Sequence, residues 1–117
     1  IINDRMDSSF EDAKRVLNLD LDVRVKLFCV IEKWFLDPLA QLLESPRGSE
    51  LIDQALGITP TLALTYQERT RELLMAIIGD AMAAEVLQLA LKGLTSDRPS
   101  IKTLRDRVAL LVEHFVT

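Results

Sequence analysis

A chain of 117 residues with 49% hydrophobic and 27% charged side chains is long enough to bury a continuous core and too apolar to be disordered, which fits one domain over 1–117. A formal net charge of −4 gains nothing from phosphate neutralisation, so general binding to nucleic acid or anionic membrane is not favoured. One cysteine, Cys29, excludes an internal disulfide and suits an intracellular, reducing compartment.

The charge is uneven: residues 1–60 carry seven basic and eleven acidic side chains, and residues 61–117 carry seven of each. Six aromatic residues leave the core to be built mainly from Leu, Ala and other aliphatic side chains, most of them good helix formers. No charged-then-apolar leader is read at the start. The chain begins at Ile1 and stops just after an apolar helix, which reads as a part excised from a longer protein.

In chain order, Ser8-Ser9-Phe10-Glu11 has the spacing of a capping box and is expected to open a first helix with Phe10, Ala13 and Leu17 on one face. From Leu17 to Leu27 apolar and polar residues alternate, a strand pattern. Yet Val23, Leu27, Val30, Ile31 and Trp34 recur at helical spacing, and no other segment offers a strand to pair with, so a helix is expected from about Asp22. Asp37-Pro38 pairs a good N-cap with a good first helical residue and is expected to start a new short helix to Glu44. Ser45 to Ser49 reads as a turn, with a brief helix from Ser49 to Gly57.

Thr65-Tyr66-Gln67-Glu68 is a second capping-box spacing, expected to open the longest helix, which runs to Lys92 and stops at Gly93. Leu73–Leu94 is apolar enough to raise a membrane span, but Asp80 and Glu85 would lie in hydrocarbon. Asp80, Glu85, Gln88 and Lys92 instead fall in one arc of about 140°. That suits a central bundle helix, or failing that a homodimer interface. Gly79 is a candidate kink or close contact within it. Ser100 should cap a last helix with an apolar stripe of Ile101, Leu104, Val108, Leu111 and Phe115. The fold class expected is all-α, a single-domain bundle of four to five main helices.

Catalysis has little to build on. His114 and Cys29 are the only residues of their types, too few for a zinc site, and a mid-helix Cys29 suits packing. No phosphate loop, dinucleotide fingerprint, nucleophile elbow or EF-hand spacing occurs. No cofactor or metal is called for, and the chain reads as a non-enzyme. Two surfaces remain. Val25, Cys29 and Leu36 lie opposite the main stripe of their helix, with Glu32 and Lys33 at the margins. They are either a second core layer or an exposed strip that binds a protein partner or a second copy of the chain. The 94–99 turn and the helix after it carry Arg98, Lys102, Arg105 and Arg107, similar to a helix-turn-helix. Its turn is long, and Arg107 projects about 160° from Arg105, so a solvated basic face is the better reading. A small-molecule cavity lined by Met75 and Met82 is a third candidate. The function expected is a protein–protein interaction or oligomerisation module of a larger assembly. A nucleic-acid-binding regulator using Arg98, Lys102 and Arg105 is the alternative.

Overall fold

The computed structural model describes residues 2–44, 60–97 and 99–116. They form an all-α bundle with no strand among the described residues. Five helical rods make it up. They are α1 (Ile2–Leu17); a rod of α2 (Val23–Ile31), a π-turn (Glu32–Leu36) and α3 (Asp37–Glu44); α4 (Pro60–Ile78); α5 (Ala81–Leu94); and α6 (Ile101–Phe115).

Helix α1 is longer than the Ser8–Glu11 spacing implied: it begins at Ile2, so Ser8 lies within it and caps nothing. Tertiary contacts hold the upstream turns in place. Met6 packs against the core, and Asp7 is ion-paired with Arg69 of α4 at 2.6 Å. Phe10, Ala13 and Val16 of α1 are buried.

The alternation over 17–27 resolves as a turn followed by a helix. The amides of Asn18 and Leu19 donate to the carbonyls of Arg15 and Val16, and the Asp22 carboxylate accepts from the Arg24 amide at 3.2 Å as N-cap of α2. The side-chain period of two had no neighbouring strand to satisfy it, and the cap decided the outcome.

The short helix expected to run to Glu44 is present as α3, but Asp37-Pro38 does not break the rod to start it. Asp37 keeps helical dihedrals, φ −64° and ψ −47°, and its amide donates to the Glu32 carbonyl, five residues back. Proline has no N–H to return to the carbonyl of Trp34, and its ring crowds that position. The wider π-turn absorbs the ring without ending the rod. A second consequence follows from the same turn. With bonds to the fifth residue back, Leu36 occupies the place that the fourth residue after Ile31 would take in an α-helix. Leu36 therefore shares the buried face of Ile31 and is itself 0% exposed.

This rod is the wall between two core clusters. Leu27, Ile31 and Leu36 pack with Leu74, Ala84, Leu87, Leu91, Leu104, Val108 and Val112. Val30 and Trp34 pack with Phe10, Ala13, Val16 and Leu73. In the second cluster Trp34 stacks on Tyr66, with centroids 4.8 Å apart, and meets the edge of Phe10 at 5.5 Å. Its indole Nε1–H donates to the buried Thr70 hydroxyl at 2.7 Å, and that hydroxyl donates to the Tyr66 carbonyl at 2.7 Å. Burial pushes the Tyr66 phenol above its ordinary pKa.

The longest expected helix is in fact two. Helix α4 already starts at Pro60, upstream of Thr65, and ends at Ile78. Gly79 adopts φ +76°, with its amide donating to the Met75 carbonyl at 2.9 Å. Asp80 then caps α5 by accepting from the Met82 amide at 3.0 Å. A left-handed glycine followed by an N-cap residue ends one helix and starts another with no spacer. Gly93 lies inside α5, which continues to Leu94. No helix of the described residues is long and apolar enough to cross a membrane.

Ser100 caps α6 as expected, its hydroxyl accepting from the Thr103 amide at 3.2 Å. The inward residues of α6 are Leu104, Val108 and Val112, with Ile101, Leu111 and Phe115 partly buried beside them. The turn and brief helix expected over 45–57 lie outside the described residues.

Candidate interaction surface

Helix α5 is apolar around most of its circumference, and the bundle uses only one side of it. Ala84, Leu87 and Leu91 are buried in the first core cluster. Met82, Val86 and Leu89, spaced i, i+4, i+7, point the other way and are 74%, 53% and 62% exposed. Three large apolar side chains in register form a continuous stripe rather than scattered surface residues. Gly93 extends the stripe by one more turn; it is exposed, and the space where its Cβ would project is open.

The flanks of the stripe differ. On one side stand Glu85 and Lys92, both exposed, neither with an ion-pair partner among the described residues. On the other stand Ala83 and Ala90, half-buried and small. Beyond Glu85, Gln88 donates to the Gln67 carbonyl at 3.1 Å and ties α5 to α4. Next to the stripe lies an open concavity of ≈ 820 Å³ whose lining includes Trp34, Phe35, Leu64, Gln67, Leu89 and Lys92. Leu64, on α4, is a further exposed apolar residue at its rim. The lining includes neither Met75 nor Met82, so this is not the cavity expected between them.

The strip expected on the 23–36 helix is not one continuous face. Val25 is 48% exposed, Cys29 is half-buried against the second cluster, and Leu36 is fully buried in the first. The π-turn moved Leu36 off the face it would share with Val25 in a regular helix. The charged margins are engaged within the fold. Glu32 is ion-paired with Arg105 of α6, Asp37 stands 3.8 Å from the same guanidinium, and Lys33 lies 3.5 Å from Asp37.

The same pairs engage one member of the expected basic edge. Arg105 is turned toward Glu32 and Asp37. Arg107 makes a two-pronged contact with Asp97 at 2.8 and 2.9 Å and donates to the Leu94 carbonyl at 3.0 Å, bracing the turn between α5 and α6. The Arg107 hydrogen bond holds the Asp97 carboxyl below the ordinary carboxylate range. Lys102 is exposed, and Arg98 lies outside the described residues.

His114 is exposed on α6 and Cys29 is a free thiol, on elements that bring no third such group to them. Among the described residues no three His, Cys, Asp or Glu side chains gather as a metal site would need. The stripe of α5 was missed in the sequence although its spacing was there to see. Ala81, Ala83, Ala84, Leu87 and Leu91 surround it with further apolar positions, and periodicity alone does not say which face of a mostly apolar helix is inside.

No protein-family model, curated protein or solved structure matches this chain.

Proposed function

We propose that the chain is a non-enzymatic α-helical interaction module that docks a polypeptide on the outer face of α5. The observation that carries this reading is the exposure of Met82, Val86 and Leu89 in one helical row. Full burial of one such side chain is worth about 1.5–3 kcal/mol; with 53–74% of each still exposed, a covering helix recovers part of that at each position. Helix-on-helix docking uses this i, i+4, i+7 spacing of anchors. The functional strip thus moves from Val25, Cys29 and Leu36 to Met82, Val86 and Leu89. Of the three residues of the nucleic-acid alternative, Arg105 is paired with Glu32, Lys102 is exposed and Arg98 lies outside the described residues, so Lys102 alone is left to favour it.

The experiment is site-specific photo-crosslinking in the cells that make the protein. A photoreactive residue at Val86 should give a discrete covalent adduct, lost when Leu89→Glu is added, while one at exposed Glu113 of α6 should give none. Absence of an adduct at Val86, or equal capture at Glu113, would overturn the proposal.

A further inference from the structure

The row on α5 has a shape that matches itself. Met82, Val86, Leu89 and Gly93 are spaced 4-3-4, a palindromic pattern. Turning a second copy of α5 end over end, about a two-fold axis between residues 87 and 88, sets Met82 opposite Gly93 and Val86 opposite Leu89. The most exposed side chain of the row then meets the one position with no side chain, where the space is open. A two-fold interface uses the same patch on both partners, so each such fit occurs twice.

The flanks agree. Taking about 100° per residue, Glu85 and Lys92 lie on one edge of the row and Ala83 and Ala90 on the other. In the antiparallel arrangement each edge lies against its own copy. Glu85 then stands about 3 Å along the axis from the partner copy's Lys92, using a rise of 1.5 Å per residue, and about 7.5 Å from the other Glu85. Opposite charges are therefore nearer than like ones. The alanine edge lets the helix axes approach closely. A parallel pair fits worse: Met82 meets Met82, Gly93 meets Gly93, and Glu85 faces an alanine edge. Both charges are without ion partners among the described residues of the single chain.

Resting on the interaction module proposed above, we infer that the partner is a second copy of this chain, bound through an antiparallel, two-fold pairing of α5 with α5. A contact made mainly by one 14-residue helix per subunit belongs at or below the small end of specific interfaces, about 1,200 Å² in total. The dimer is accordingly a reversible one.

Sedimentation equilibrium of the purified full chain, from about 10 μM to about 1 mM, reads the self-association directly. A monomer–dimer equilibrium is expected. Glu85→Lys alone sets lysine against lysine, Lys92→Glu alone sets glutamate against glutamate, and each should weaken the dimer by roughly threefold to tenfold at low salt. The double exchange Glu85→Lys/Lys92→Glu should restore it. Both residues are exposed and bear on no core contact, so the variants should keep the native helical circular dichroism. A chain that stays monomeric throughout, or a double exchange that remains as weak as the singles, overturns the inference. If the purified chain is monomeric while Val86 still yields a Leu89-dependent adduct of heterologous mass in cells, self-pairing fails and the interaction module stands. Loss of both removes both.

Discussion

Thr70 shows how much one side chain can hold. It is a polar residue buried among aromatics, and it works because its hydroxyl both accepts from the Trp34 indole and donates to the Tyr66 carbonyl. Replacing it with the near-isosteric valine strips Trp34 of its partner in a buried site, at a cost of about 1–3 kcal/mol. Thr70→Ser, which keeps the hydroxyl, should cost less. Urea unfolding of the two variants checks this, and equal losses would mean that packing of the methyl, not the hydrogen bond, matters there. At the surface, Asp97 has its pKa lowered first of all by the Arg107 hydrogen bond. Its contribution to stability is present above its unfolded value of 3.8 and is lost as pH falls through the lower folded value. A carbon-detected NMR titration should place the Asp97 midpoint below 3.8, and Arg107→Gln should return it upward. An Asp97 midpoint indifferent to Arg107 would contradict the pairing.

At the scale of elements, two local devices decide what sequence periodicity left open. The π-turn at Glu32–Leu36 carries the rod past Pro38 and turns Leu36 inward. Its two-face consequence separates Val25 from Leu36, which sit together on an ideal helical wheel. Val25→Asp should change stability by no more than about 0.5 kcal/mol. Leu36→Ala should cost about 2–5 kcal/mol by opening a cavity. Comparable effects at both positions, measured by thermal unfolding, would argue for the regular helix instead. The second device is Gly79. No atom crowds its missing Cβ, but φ +76° is a conformation that L side chains rarely adopt. Gly79→Ala should therefore destabilise by about 1 kcal/mol or somewhat more through backbone strain, and a neutral result would place that residue in ordinary helical space.

Across the whole molecule, much of the fold was legible and the surface was not. Helical periodicity gave the all-α class, the start of α2 at Asp22 and the Ser100 cap, because each rests on contacts within a few residues. The capping-box spacings at Ser8 and Thr65 misled, since both lie inside helices whose upstream turns extend well before them. Asp80 was placed on a polar arc of one long helix when it is the cap of a new one. Which apolar residues stay outside is a property of how the rods pack. In α5, Leu87 and Leu89 are chemically identical and two residues apart, yet only the fold sends one to the core and the other to water. Charge behaved likewise: Glu32 and Arg105, expected at two different binding surfaces, meet each other across 73 residues of chain.

That pair of leucines offers the most direct measurement of the central claim, that the outer face of α5 is a docking surface and not core. Leu89→Glu and Leu87→Glu are to be compared by thermal unfolding and by sedimentation of the purified chain. Leu87→Glu, at a fully buried site, should not fold, because an unpaired buried charge costs as much as the stability of a small domain. Leu89→Glu should unfold at close to the native temperature while losing its association. A Leu89→Glu variant that unfolds as Leu87→Glu does, or that folds and dimerises as a dimeric native chain does, would contradict the account.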